Sequence, residues 1–343
     1  MERERQHAHD IALDGTDVSF ACEPGDSILR AGLRAGVALA YECNVGSCGT
    51  CKVDLIEGEV TSLWPAAPGL TDRDVARGRV LACQSVPASS CTVKTRLREE
   101  YRPRIMPRRC EATLVATVDL THDLREFRFH SALPAQFLAG QYALLGLPGV
   151  PGQRAYSMSN VANADGEWHF QIKRSPSGAA TGALFDATPI GTTLVLDAPY
   201  GNAYLRTDVR RDVVCIAGGS GLSPNVSIAR AFVDEPALAH HKLHFFYGGR
   251  APRDVCGEGL LRDLPGFGER LFYYPAVSGI EERDKAWNGH IGFVHDLVDL
   301  TLGDRLPEHE LCFAGPPAMA KAVQIMLLKR KVPLAQQHFD RFF

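Results

Sequence analysis

Four cysteines set the strongest constraint on what this chain can fold into. Cys43, Cys48, Cys51 and Cys83 follow the pattern C-x4-C-x2-C, with the fourth after a further 31 residues. A [2Fe–2S] cluster takes four thiolates at this spacing. A loop that wraps such a cluster must turn tightly and aim backbone N–H groups at sulfur, and Gly46 and Gly49 sit where side chains would obstruct it. Structural zinc usually shows paired C-x2-C units, and only one short pair is present. No Cys-x-His pair occurs, which excludes a Rieske centre. Cys22, Cys91, Cys110, Cys215, Cys256 and Cys312 are scattered among apolar neighbours and read as free thiols acting as small core hydrophobes.

A length of 343 residues leaves room for two or three domains. The 45% apolar and 22% charged fractions are those of a globular chain. A net charge of −3 without a long Lys/Arg block argues against a nucleic-acid surface. No apolar run approaches the roughly 18 residues of a membrane span. The opening Met1-Glu2-Arg3-Glu4-Arg5 lacks the apolar stretch of a secretory signal, so a cytoplasmic protein without a membrane partner is expected.

Three segments follow one another. In residues 1–98, strands are expected at 17–22, 52–56, 79–83 and 92–98, with Asp26 capping a short helix that carries Ile28, Leu29 and Leu33. Residues 99–109 hold two prolines and four arginines and read as a linker. Residues 110–206 show short strands at 113–118, 126–130, 142–147, 168–173 and 193–196, the pattern of a small antiparallel barrel. Residues 207–343 alternate strands (212–217, 244–247, 271–277, 311–314) with helices (224–233, 318–330), which implies a parallel sheet covered by helices.

The stretch Tyr41-Glu42-Cys43-Asn44-Val45-Gly46-Ser47-Cys48-Gly49-Thr50-Cys51-Lys52 resembles a plant-type ferredoxin domain. With Glu57-Gly58-Glu59-Val60, Leu63-Trp64-Pro65, Ala67-Pro68-Gly69-Leu70 and Leu81-Ala82-Cys83-Gln84 it is similar to the NADH-dependent reductase components of aromatic-ring oxygenases, in particular the toluene-4-monooxygenase reductase type. The resemblance covers nearly the whole chain. It implies a multidomain α+β and α/β protein: a plant-type ferredoxin β-grasp domain, an antiparallel β-barrel flavin domain and a parallel α/β nicotinamide-binding domain.

Arg154-Ala155-Tyr156-Ser157 is similar to the R-x-Y-S flavin motif of that superfamily. An arginine pairs bidentately with phosphate and an aromatic ring lies against isoalloxazine. The resemblance implies that Arg154 holds phosphate, Tyr156 packs on the ring and Ser157 bonds near N5. It places Gln171, Ile172 and Lys173 on a second flavin strand and Gly178, Ala179, Ala180 and Thr181 in a pyrophosphate loop at a helix start, which favours FAD over FMN. Ser223 and a terminal aromatic cover, Phe343, complete the expected FAD set.

Gly218-Gly219-Ser220-Gly221 follows an apolar strand and precedes a helix, and glycines there let backbone approach a dinucleotide. The loop is similar to the family's G-G-x-G-x-x-P. Tyr247, Gly248, Arg250 and Asp254 match the next strand end, with Asp254 expected to accept from a ribose hydroxyl and so to favour NADH; Arg250 and Arg253 could instead pair with a 2′-phosphate, which leaves NADPH as the alternative. Ala314-Gly315-Pro316 resembles the motif beside the nicotinamide, with Ala314 where Cys is usual. Ser157 and Ser220 are the catalytic residues implied. The resemblance implies a monomer passing electrons from NADH through FAD and the cluster to an oxygenase or its Rieske-type ferredoxin. A reductase serving another acceptor, such as a sugar deoxygenation enzyme, is the alternative, and a non-catalytic redox sensor is a further one.

Overall fold

The computed structural model describes residues 7–284 and 286–340. The chain forms two compact units, one of residues 1–109 with 152–155 and the other of 110–151 with 156–343.

In the first unit the strands are β1 (His9–Leu13), β2 (Ser19–Cys22), β3 (Lys52–Glu57), β4 (Val60–Ser62), β5 (Arg79–Leu81), β6 (Ser85–Pro87) and β7 (Cys91–Lys94). Five of them form a mixed sheet in the order β2-β1-β7-β3-β5, with β1 and β7 parallel, and β4 pairs with β6. Ile11, Leu13, Phe20 and Cys22 alternate inward along the first hairpin. Helix α1 (Ile28–Arg34) packs Ile28, Leu29 and Leu33 into the core. Its cap is Ser27, whose hydroxyl accepts from Arg30 N–H, and not Asp26. The Asp26 carboxylate instead draws in two guanidinium groups, Arg34 at 3.0 Å and Arg109 at 2.5 Å, and accepts from Ser27 N–H. A short α2 (Asp72–Val75) is closed by a Thr71–Asp74 capping box. Residues expected to form the linker include a 3-10 turn at Glu99–Tyr101.

The antiparallel sheet of the flavin segment comprises β8 (Arg108–Asp119), β9 (Leu124–Ser131), β10 (Tyr142–Gly146), β11 (Arg154–Ser157), β12 (Glu167–Lys173) and β13 (Thr193–Tyr200), in the order β11-β10-β13-β8-β9-β12. Its two edges meet. Met158, just past β11, bridges to Phe170 of β12, and Ser159 N–H donates to His169 O at 2.7 Å. That closure makes the sheet a barrel, filled by Leu114, Phe127, Phe129, Leu145, Trp168 and Phe170. The short α3 (Ala179–Gly182) follows β12.

The last segment is a parallel sheet in the order β17 (His290–Ile291), β16 (Leu271–Val277), β15 (Leu243–Gly249), β14 (Asp212–Gly218), β18 (His309–Ala314) and β19 (Gln337–Phe339). One apolar core lies under α4 (Leu222–Asp234) and α5 (Glu258–Arg262), and another under α6 (Val294–Leu302) and α7 (Pro317–Lys329). Strand β14 is buried on both faces, which explains its continuous apolar run. The chain leaves β14 toward β15 on one side and returns to β18 on the other. Ligands of open α/β sheets bind at the carboxyl ends of strands at such a switch point.

Strand β19 was not expected from sequence. It is short, and a polar triad centred on buried Glu310 secures it: Glu310 on β18 contacts buried His338 at 2.7 Å and exposed Arg211 at 2.5 Å. Burial pushes the Glu310 carboxyl up, but the hydrogen bonds from His338 and Arg211 outweigh it and hold it below its ordinary value of 4.5. The stability this lowering supplies is present above pH 4.5 and is lost as pH falls through the depressed value. Thermal melts at descending pH should show that loss in the native protein and a flatter decline in Glu310→Gln.

Candidate redox sites

Residues 43–51 lie between α1 and β3 without regular structure. Glycine sets the loop's shape. Gly49 has φ +77°, and a Cβ there would sit 2.6 Å from the Gly69 carbonyl oxygen. Gly69 in turn donates its N–H to Gly46 O at 3.0 Å, so the 67–70 turn closes directly on the loop. Cys43, Cys51 and Cys83 are buried and Cys48 is partly exposed. The four thiols are hydrogen-bonded in pairs, Cys43 with Cys48 and Cys51 with Cys83.

Nitrogen donors surround the sulfurs. Cys48 N–H donates to Cys43 Sγ and Thr50 N–H to Cys48 Sγ, both at 3.4 Å, and Gln84 Nε2 lies 3.6 Å from Cys83 Sγ. The hydrogen bond from Cys43, helped by Thr50, lowers the Cys48 thiol to about 5 against the opposing effect of burial. Cys83 is lowered by Cys51, Gln84 and the nearby Arg30 charge, while Cys43 and Cys51 are pushed up as the donors of their pairs and by burial. A thiolate is the ligating form, and the surroundings favour it at one sulfur of each pair, Cys48 and Cys83. One buried donor, Asn44 Nδ2, has no acceptor among the described residues. Four converging sulfurs and a spare N–H fit a [2Fe–2S] cluster.

Of the flavin residues, Ser157 at the end of β11 is buried, and Tyr156 packs against the barrel core. Arg154 is exposed. Gln171 and Ile172 on β12 are buried, and Lys173 pairs with Asp123 at 2.8 Å. Gly178 is a cradle that a side chain would fill, since its Cβ would lie 2.7 Å from Thr181 Oγ1. Thr181 Oγ1 is engaged within the loop, accepting from Ser175 N–H and donating to Gly178 O, both at 3.1 Å. Ala179 and Ala180 then open α3. Buried Gln171 Oε1 has no partner among the described residues, which leaves an acceptor for the polar edge of a flavin ring.

Ser223 corrects the sequence reading. Its hydroxyl is spent on backbone, donating to Ser157 O at 2.6 Å and accepting from Gln171 N–H at 3.1 Å. From the first turn of α4 it clasps two barrel strands, and so positions them instead of offering its hydroxyl to FAD. Ser227 donates to Asn160 O at 2.6 Å and Arg230 to Ser159 O at 2.9 Å, extending that clasp along the helix. Neither residue has a motif that sequence reading detects. Phe343 lies outside the described residues.

The nicotinamide residues converge at the carboxyl ends of β14, β15 and β18. Gly219, Ser220 and Gly221 form a 3-10 turn between β14 and α4. A Cβ on Gly221 would stand 1.9 Å from Ala314 O, so the turn rests directly on the Ala314–Gly315 backbone. Gly218 and Gly315 both face Met319, and Pro316 caps α7. Gly248 abuts Val294. Tyr247 is buried, and its hydroxyl reaches Gly219 O at 3.4 Å, supporting the turn from below. Cys312 is buried in the core under α4, where burial raises its thiol to about 12.

Asp254 is buried, and its Oδ2 accepts from Arg250 and Ala251 N–H at 3.2 Å each. One carboxylate oxygen thus closes its own loop, while Oδ1 has no hydrogen-bond partner among the described residues. Exposed Arg250 lies 3.6 Å from Asp254 and 3.7 Å from Asp123. His122, Asp123 and Asp254 come close enough to suggest a metal, but the Lys173 ammonium at Asp123 already supplies the cation. In a second group, Asp212, His244 and His309, the carboxylate is taken by His241 and by Lys242 N–H.

The fold and these loops define a flavin- and nicotinamide-dependent oxidoreductase with a ferredoxin domain. Three family descriptions match in turn: a 2Fe-2S iron-sulfur cluster binding domain over residues 11–88, an oxidoreductase FAD-binding domain over 111–204 and an oxidoreductase NAD-binding domain over 215–325. The chain is 42% identical over 324 residues to the ferredoxin–NAD(P)(+) reductase CarAd of Metapseudomonas resinovorans, covering 94% of this chain and 96% of that one. It is 35% identical to the ferredoxin–NAD(+) reductase component of the alkene monooxygenase system of Xanthobacter autotrophicus, covering 94% and 98%. The solved structure of the ferredoxin reductase in carbazole 1,9a-dioxygenase superposes with a TM-score of 0.91 at 39% identity, over 98% of this chain and 99% of that one. The chain belongs to this family of three-domain iron–sulfur flavoprotein reductases, the reductase components of oxygenase systems.

Proposed function

We propose that this protein is the NADH-dependent reductase of an aromatic-ring-hydroxylating system, handing electrons to an oxygenase or to its Rieske-type ferredoxin. The observation that carries the proposal is one chain holding both a thiolate pocket and a dinucleotide switch point tied to a flavin barrel. NADH, FAD and the cluster supply hydride transfer, the division of an electron pair and single-electron delivery. The protein's part is to position them. Arg154 is assigned to phosphate, Tyr156 to the ring face, Ser157 to the reacting edge and the Gly178–Thr181 turn to pyrophosphate. Gly218, Gly219, Ser220, Gly221, Gly315 and Pro316 line the nicotinamide approach, with Ser220 at its reacting end, and Cys43, Cys48, Cys51 and Cys83 ligate iron. Preference for NADH is supported by the carboxylates of Asp123 and Asp254, which hold Arg250 and would repel a 2′-phosphate. A monomer in the cytoplasm completes the reading, in keeping with the absence, among the described residues, of a helix long and apolar enough to cross a membrane.

Anaerobic titration with NADH tests this reading. Flavin and cluster bands should bleach together, whereas bleaching by dithionite alone would overturn it. Arg154→Ala should emerge from gel filtration largely free of flavin. Full yellow colour would remove Arg154 from the phosphate site.

A further inference from the structure

Arg30 is a buried cation without an anionic partner. It lies on α1 with 5% of its surface exposed. Its guanidinium donates to Asn44 Oδ1 at 3.3 Å, to Asn44 O at 3.4 Å and to Gln153 Oε1 at 2.7 Å, all of them neutral. Among the described residues it forms no ion pair. The two neighbouring arginines that could share its role, Arg34 and Arg109, are both committed to Asp26. Burying a charge without a partner costs several kcal/mol (order of magnitude), so such a group marks the place of a missing opposite charge.

The missing charge is next to it. Asn44 follows the ligand Cys43 directly, and the Arg30 charge is felt at Cys83. Asn44 is held at φ +54°, in the left-handed region that asparagine tolerates better than most residues. Because Arg30 fixes the amide oxygen of Asn44, the amide nitrogen is turned away from it, and this is the buried Nδ2 that lacks an acceptor.

The geometry points to Arg30 and Asn44 as the pair that sets the reduction potential of the cluster, Arg30 as its buried counter-charge and Asn44 as the N–H donor that Arg30 orients. The inference rests on the cluster assigned above. Ferric iron, sulfide and four thiolates together carry net negative charge, and reduction adds one electron with no bond made or broken. NADH supplies that electron by way of the flavin, and the acceptor protein removes it. A fixed positive charge and an N–H donor favour the more negative, reduced form, which raises the potential. Both residues act through the cluster's surroundings and are positioning residues.

The test is a redox titration of full-length, cluster-loaded protein, with the cluster followed by electron paramagnetic resonance and the flavin by absorbance. Arg30→Gln should change the ratio of oxidised to reduced cluster at a fixed potential at least about tenfold toward oxidised, a fall of about 59 mV for one electron. Arg30→Lys keeps the charge and should retain most of the native potential. Asn44→Gly accepts the same backbone angle and should lower the potential by less than Arg30→Gln. The flavin midpoint should stay fixed throughout. Equal cluster potentials in the native and Gln proteins would overturn the proposal, as would a Lys variant indistinguishable from Gln. Loss of the cluster from Gln alone, with Lys loading at the native potential, would support it; loss from both would assign Arg30 a purely structural role and overturn it. Native protein without a cluster signal would overturn the cluster assignment itself.

Discussion

Cys48→Ser should abolish NADH-driven reduction of cytochrome c while leaving NADH–ferricyanide turnover within about twofold of native. Ferricyanide draws electrons from the flavin, whereas cytochrome c depends on the cluster. Cys48 is the ligand whose removal separates these routes most cleanly. It is the most exposed of the four thiols, the other three being buried. Serine keeps the size of the side chain and the Thr50 N–H contact but offers iron a poor ligand. The flavin barrel is filled by its own core, and none of those side chains comes from the 43–51 loop. Both rates should be measured on the same preparation, with flavin content determined first. Parallel loss of both activities at full flavin occupancy would contradict the order of electron flow from flavin to cluster.

The parts of the site legible in sequence were those carried by contiguous residues. The cysteine spacing, the Arg154–Ser157 motif and the glycine-rich turns at 218–221 and 314–316 each encode a local backbone shape, and local shape is what short motifs specify. The strand alternation likewise disclosed a barrel followed by a parallel sheet. What remained hidden depends on distant residues meeting. Ser223 looked like a flavin ligand because it adjoins the nicotinamide loop, yet its hydroxyl is taken by Ser157 and Gln171, strands away in sequence. That one oxygen of Asp254 closes its own turn on the Arg250 and Ala251 N–H groups is likewise invisible in the sequence. Arg30 reads as an ordinary helix residue, and only burial shows its cost. The capping role passed from Asp26 to Ser27 because two arginines compete for the carboxylate. Strand β19, three residues long, owes its existence to pairing with β18 and to the Glu310 triad.

Gly221→Ala should remove NADH-dependent reduction of every acceptor, ferricyanide included, because it strikes upstream of the flavin. The residue's backbone angle is one that alanine adopts freely (φ −62°), so conformational strain is not the cause. Space is the cause. The added Cβ would lie 1.9 Å from Ala314 O and 2.3 Å from Ala314 C, where no flexible side chain can give way. Relief requires the ends of β14 and β18 to part, although Ala217 and Ala314 are paired there in the ladder. That parting widens the crevice in which a dinucleotide lies and tilts the start of α4, whose Ser223 holds the barrel strands. Gly259→Ala is the matched control. It sits in α5 with nothing within 4 Å of its Cβ, and alanine in a helix gains about 0.5–1 kcal/mol over glycine. Stopped-flow reduction of flavin by NADH should collapse in Gly221→Ala and stay native in Gly259→Ala, while dithionite bleaches both. Native flavin reduction by NADH in Gly221→Ala would show that the turn does not lie on the hydride path.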